Sequence, residues 1–132
     1  MAKLDGLPDA EFDVMQIVWG QPSPISSVQI FSLATPEKQW KPQTVLTLLT
    51  RLVNRGFLSS EKKGKERFYT PLVTREEYLS METGVFMQRF HKSSFTGLMN
   101  ALFAGKKPRK EDISEIEEWL GTVMDEGSNQ DE

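Results

Sequence analysis

The alternation of apolar and polar positions is sharpest between residues 41 and 69. At 100° per residue, Leu48, Leu49, Leu52 and Val53 fall within about 80° of Val45. This is the i, i+3, i+4, i+7, i+8 stripe of a helix with one buried face. Gln43, Thr47, Thr50 and Asn54 occupy the opposite pole, flanked by Thr44 and Arg51. The outward face is therefore polar, short-chained and cationic rather than a Glu/Lys mixture. Pro42 suits the first turn, where its missing N–H costs nothing, and Gly56 ends the helix after Arg55. Residues 57–62 and 66–70 then read as two strands joined by a turn at Lys63, Gly64 and Lys65, with Leu58, Phe68 and Tyr69 available for packing.

Upstream, Asp9–Trp19 predicts a helix with Phe12, Met15 and Trp19 on one side and Val14, Ile17 and Val18 on others, which marks it as a core helix. Gly20 supplies a C′ stop. After a turn at residues 21–24, Ser26 or Ser27 caps a short second helix through Leu33 that carries Val28, Phe31 and Leu33. Thr35, Pro36 and Glu37 break it. Three helices followed by a hairpin predict a winged helix-turn-helix over residues 1–74.

Beyond residue 74 the pattern changes. Arg75–His91 reads as a helix with Leu79, Phe86 and Phe90 along one side and Tyr78, Met81 and Val85 along another, more apolar surface than one packing face requires. Phe95, Leu98, Met99, Leu102 and Phe103 repeat at helical spacing, with residues 105–108 as the stop. Asp112 and Glu115 form a capping-box pattern ahead of Ile113, Ile116, Leu120, Val123 and Met124. Residues 75–126 are thus expected to form dimerisation helices, and 127–132 a disordered acidic tail. The fold class expected is mostly α with a small β wing. Two short helices behind a complete winged helix would leave a large apolar patch on a monomer, which points to an intersubunit core built from Phe86, Phe90, Phe95, Leu98, Met99, Leu102, Phe103, Ile116, Trp119, Leu120 and Val123. No internal repeat is present.

Charge placement adds a function to this outline. Residues 38–60 contain no Asp or Glu, although 19 acids in 132 residues would put about three there. Residues 38–74 hold eight basic residues (Lys38, Lys41, Arg51, Arg55, Lys62, Lys63, Lys65, Arg67) against Glu61 and Glu66, a net +6 in a chain of net charge −3. The flanking segments carry −4 and −5. An acidic chain therefore hides a local basic footprint, to which phosphate backbones respond. Threonines at 44, 47 and 50 cost roughly half a kcal/mol each relative to Ala or Lys in a helix, which a merely solvated face has little reason to bear. Threonine methyls can meet thymine methyls, Gln can bond adenine, and Arg can grip guanine or phosphate. The expected DNA contacts are Lys41, Gln43, Thr44, Thr47, Thr50 and Arg51 on the helix, with Lys62, Lys63, Lys65 and Arg67 on the wing.

Catalytic chemistry finds no foothold. Cysteine is absent and His91 is the one histidine, so neither a disulfide nor an ordinary zinc ligand set can form. No phosphate-binding loop, nucleophile elbow or paired-carboxylate pattern occurs. The chain reads as a non-enzyme without cofactor or metal. Without an apolar run of membrane-spanning length or a signal-peptide core, no membrane is expected and the cytoplasm is the default. Trp19, Trp40 and Trp119 read as core or interface aromatics, and His91 as a partly exposed residue near a helix boundary.

Three blocks of this chain resemble the penicillinase-repressor family of bacterial winged-helix regulators, the BlaI, MecI and CopY type. They are LPDAEFDVMQIVW at residues 7–19, TVLTLLTRLVNRGFL at 44–58 and FHKSSFTGLMNAL at 90–102. The middle block followed by a basic wing is the most specific. The resemblance implies a homodimeric repressor on a palindromic double-stranded DNA operator, with the C-terminal helices as a clasp. In the antibiotic-sensing branch it also implies inactivation by a signal-activated protease, with a cut between the positions of Leu102 and Phe103. Leu102 stands where that branch has Asn. Gln43 and Leu46 stand where the resistance repressors have basic residues, which implies a different operator. The Cys-x-Cys pairs of the copper-sensing branch are missing, which excludes metal-triggered release of that kind. A winged-helix protein-interaction module that does not read bases is the alternative left open by the residues alone.

Overall fold

The computed structural model describes the backbone of residues 5–130 and the side chains of residues 5–125. It comprises helices α1 (Asp9–Trp19), α2 (Ser27–Ala34), α3 (Pro42–Asn54), α4 (Arg75–His91), α5 (Phe95–Phe103) and α6 (Lys110–Gln130), and strands β1 (Ile25–Ser26), β2 (Leu58–Lys63) and β3 (Glu66–Pro71). Two compact units divide the chain, Met1–Val85 and Phe86–Glu132.

The first unit is a winged helix around one core. Val14, Met15 and Val18 of α1, Ile30 and Ala34 of α2, and Val45, Leu48, Leu49 and Leu52 of α3 meet Ile25, Phe57, Leu58 and Tyr69 from the sheet and its approaches. Burying each of the larger side chains contributes about 1.5–3 kcal/mol. The stripe read on α3 is thus the buried one. Gly56, at φ +84°, turns the chain out of α3 in a left-handed conformation that suits glycine. Gly64, at φ +66°, takes the first position of the two-residue β2–β3 loop, where primed hairpin turns require a positive φ.

Several expectations are corrected here. Gly20 is no left-handed stop: its φ is −84°, and its N–H bonds Gln16 and Ile17 carbonyls in a final right-handed turn. On α2 the buried face is Ile30 and Ala34, while Val28 and Leu33 are exposed and Phe31 is half-buried. Ser26 is the cap, its Oγ accepting from the Gln29 N–H at 3.1 Å. The sheet also has a third strand. Ile25 and Ser26 pair antiparallel with Tyr69 and Phe68, giving the order β1-β3-β2. Two residues are too short for a period to announce, so only the partner strand reveals them.

The first compact unit runs past residue 74 to Val85. Tyr78 is the reason. It is 2% exposed, with its ring centroid 5.6 Å from Phe12, 5.8 Å from Trp19 and 5.7 Å from Phe57. Its hydroxyl accepts the Leu7 N–H at 2.7 Å, and burial pushes its pKa up against the opposing pull of that bond. Trp19 Nε1 donates to the Val73 carbonyl at 2.9 Å, tying the exit of the wing to α1. The start of α4 is held by a reciprocal cap: Thr74 N–H donates to Glu77 Oε1 and Glu77 N–H to Thr74 Oγ1, both at 3.0 Å.

The second unit differs in kind. None of its residues with described side chains is buried. Ser94 caps α5, its Oγ accepting from the Gly97 N–H at 3.0 Å. Asp112 is not the cap of α6, which begins at Lys110. Its carboxylate sits in the first turn and reaches back to the Arg109 N–H at 3.1 Å and guanidinium at 3.0 Å. That pairing holds the Asp112 carboxyl below the usual carboxylate range. The helical backbone of α6 takes in residues 127–130 of the expected tail, and residues 131–132 lie outside the described residues. Among the described residues no helix is long and apolar enough to cross a membrane.

Candidate nucleic-acid interface

On α3, Pro42 holds the first helical position and Lys41 the cap position in extended conformation. With Val45, Leu48, Leu49 and Leu52 committed to the core, helical geometry leaves Gln43, Thr44, Thr47, Thr50 and Arg51 exposed, and Lys41 is exposed with them. The face is organised as two ridges, Gln43, Leu46, Thr50 and Thr44, Thr47, Arg51, each at i, i+3, i+7. Thr47 Oγ1 donates to the Gln43 carbonyl at 3.0 Å and Thr50 Oγ1 to the Leu46 carbonyl at 2.9 Å. Leu46, outside the expected set, belongs to this exposed face. Its sequence signal was an apolar residue about 100° from Val45, just past Val53 at the rim of the buried stripe.

The wing brings its cations together only in part. Pairing β2 with β3 sets Lys62 opposite Arg67 and Lys63 opposite Glu66, and alternation sends these two pairs to opposite faces of the hairpin. Lys62 and Arg67 share the face of Ser60 and Tyr69, and Arg67 Nη1 donates to Ser60 Oγ at 3.1 Å. Lys63 lies on the other face, its Nζ 5.9 Å from the centre of the Phe68 ring. Lys65 is in the turn. All four are exposed. Like charges directly opposite in a ladder are destabilising, so the Lys62/Arg67 pair costs stability until an anion lies between them.

Two cations of the basic segment are engaged elsewhere. Lys38 Nζ lies 2.7 Å from Asp13 Oδ2, and that hydrogen bond and charge raise its pKa. Arg55 Nε stands 3.0 Å from Oε2 of the buried Glu11. The N–H is not aimed for a directed hydrogen bond there, since that oxygen counts none, so the contact is a charge pair joining α3 to α1. The remaining six, Lys41, Arg51, Lys62, Lys63, Lys65 and Arg67, have no carboxylate within 4.0 Å among the described residues. The basic segment thus divides into two structural cations and six free ones, a division the sequence could not announce because Glu11 and Asp13 lie on another helix.

Of the residues expected at a subunit interface, Phe86, Phe90, Phe95, Leu102, Trp119, Leu120 and Val123 are exposed in the second unit, and Leu98, Met99, Phe103 and Ile116 are half-buried. Phe90 is 60% and Trp119 56% exposed. An open cleft of about 480 Å³ runs between α5 and α6, lined by Phe95, Met99, Glu115, Ile116 and Trp119. Leu102 and Phe103 form the last turn of α5, followed by left-handed Ala104 and Gly105. Half-buried His91 lies 5.4 Å from the Phe86 ring centre. Trp19 and Trp40 lean on the core of the first unit.

Known proteins resemble this chain in both fold and sequence. A solution structure of the DNA binding domain of the repressor BlaI superposes on 59% of this chain and 94% of that one, with a TM-score of 0.53 and 32% identity. The penicillinase repressor of Bacillus licheniformis is 27% identical over 116 residues, 88% of this chain and 90% of that protein. The methicillin resistance regulatory protein MecI of Staphylococcus aureus strain N315 is 32% identical over 114 residues, 85% of this chain and 88% of that protein. The family model described as penicillinase repressor matches residues 7–122. With its winged-helix unit, its exposed cationic α3 face and this match over most of its length, the chain belongs to the penicillinase repressor family, a family of transcriptional repressors and not of enzymes.

Proposed function

We propose that this protein is a transcriptional repressor that grips a palindromic DNA operator as a homodimer. α3 enters the major groove, the wing holds flanking phosphates, and the second unit joins the two subunits. The observation that carries the reading is the exposed face of α3. It has no acid, its threonines are short enough to meet base edges, and six exposed cations on α3, its cap and the wing have no carboxylate within 4.0 Å among the described residues. The description of one relative as a penicillinase repressor and of another as a methicillin resistance regulatory protein supports the same conclusion.

Dimerisation is supported by a different observation. Phe86, Phe90, Phe95, Leu102, Trp119 and Leu120 are exposed in a unit that buries none of its described side chains, which supports a second copy as the cover for its apolar surface. A two-fold dimer places half-sites one or more helical turns apart. Release by proteolysis between Leu102 and Phe103 extends this reading by resemblance. Leu102 is 64% exposed at the end of α5, and local opening of that last turn would present the bond. Following the intact protein by mass spectrometry in cells given a cell-wall antibiotic tests it. Derepression with the full chain still present would count against cleavage.

The principal test is selection of bound fragments from genomic DNA, followed by titration of salt. Binding through phosphates weakens steeply as salt rises, whereas a protein interface with an apolar centre does not. Failure to enrich any duplex would favour a protein-interaction module.

A further inference from the structure

We propose that Leu46 reads thymine through its C5-methyl group, so that each operator half-site carries an A·T pair beneath the start of α3. The inference rests on the reading of α3 as the major-groove helix and adds to it the base that one side chain selects.

Leu46 is 41% exposed although Val45, Leu48 and Leu49 around it are buried. It stands on the ridge of Gln43 and Thr50, about 20° past Val53, where the core stripe borders the face that carries the polar groups. Beside it, Val28 at the start of α2 is 61% exposed. Leu46 and Val28, with Phe31 and Pro42, wall an open cleft of about 270 Å³ between α2 and α3. Two branched hydrocarbons held open to water gain nothing there, and gain by covering a methyl group.

The threonines point the same way. The hydroxyl protons of Thr47 and Thr50 are used on the Gln43 and Leu46 carbonyls. What each presents outward is a methyl group and oxygen lone pairs. With those protons committed neither threonine can donate to guanine, its oxygen can accept only from adenine N6 or cytosine N4, and its methyl can meet the C5-methyl of thymine. The occupant is a duplex and not an apolar peptide because the surroundings are cationic: residues 38–60 contain no acid, and Lys41 and Arg51 flank the cleft's helix. A polyanion gains from both features, and an apolar peptide from the cleft alone.

The experiment uses the full-length protein and a duplex selected from a random pool. Thymines are replaced singly by deoxyuridine, which removes the C5-methyl and nothing else, and binding is followed by fluorescence anisotropy. At one or two positions per half-site uracil should weaken the wild type about fourfold per lost methyl. Leu46→Ala, a change at a partly exposed side chain, should bind more weakly and lose the uracil sensitivity at those positions. Leu46→Met, which keeps the hydrocarbon, should retain it. Circular dichroism confirms that both variants fold. A selected duplex with no uracil-sensitive position, or one whose uracil forms penalise Leu46→Ala as much as the wild type, overturns the thymine assignment and leaves DNA binding standing. Failure to select any duplex removes the DNA-binding reading and this proposal with it.

Discussion

The two units of this chain solve the problem of apolar surface in opposite ways. In the first, Phe57, Met15, Ile25, Ile30 and Leu49 are fully buried, and even Glu11 is enclosed with a charge partner. In the second, amphipathic helices leave Phe90, Phe95, Leu102 and Trp119 open. Helical periodicity is present in both, so an amphipathic pattern reports that a face will be covered, not by which chain. The first unit is a complete fold carrying a polar, cationic working face. The second has an apolar working face, and completing it is the proposed role of another subunit.

The largest expected effect probes this contrast directly. Phe57→Ala should destabilise the first unit by about 3–5 kcal/mol in urea unfolding, the usual cost of truncating a buried aromatic. Trp119→Ala should leave that transition in place and shift the monomer–dimer equilibrium toward monomer in sedimentation. If Trp119→Ala unfolded the first unit as Phe57→Ala does, the two regions would not be independent.

Truncation sharpens the boundary. A chain ending at Val85 should stay folded, sediment as a monomer and bind operator about two orders of magnitude more weakly, because linked half-sites gain from effective concentration. A chain ending at Thr74 should melt well below it, since it loses Tyr78 and the Thr74–Glu77 cap. Equal melting temperatures would return the boundary to residue 74.

Within the first unit, base and phosphate contacts should separate. Arg51→Ala should cost about 1–3 kcal/mol on the selected operator and relax its sequence preference, with stability unchanged. Lys62→Ala should weaken all duplexes alike and lower the salt slope by about one. Because it relieves the like-charge pair with Arg67, it should not destabilise the free protein. Selective loss of operator binding in Lys62→Ala would reassign the wing to base reading.

The smallest effect concerns the junction. Bonds from the Thr74 backbone first, and its side chain second, hold the Glu77 carboxyl below the ordinary glutamate range. A depressed folded pKa contributes stability above the unfolded pKa, and that contribution fades as pH falls through the folded value. Glu77→Gln should therefore flatten the acid limb of stability slightly, measured between pH 6 and 3 in urea. An unchanged limb would mean that the cap is not populated in solution.

α3 was legible because its stripe, its proline start and its glycine end all act within a few residues. The wing was legible for the same reason, through its Phe57–Leu58 and Phe68–Tyr69 pairs and the Gly64 turn. The cap at Thr74 and Glu77 has a readable T-x-x-E pattern that sequence reasoning passed over in favour of Asp112 and Glu115. The α2 face was misassigned because in eight residues Val28, Ile30, Phe31 and Leu33 satisfy more than one stripe.

Periodicity, turn residues and charge order were sufficient to specify a winged helix with an acid-free exposed face on α3 and a surplus of apolar helix after it in the chain. These are local properties, repeated every two to four residues and independent of what lies across the molecule. The tertiary structure alone decided that Tyr78 belongs to the first unit, that Ile25 and Ser26 pair with β3, and that Glu11 and Asp13 withdraw Arg55 and Lys38 from the basic surface. Each of those outcomes depends on two residues distant in the chain coming within a few ångströms, and no spacing along one segment records that distance.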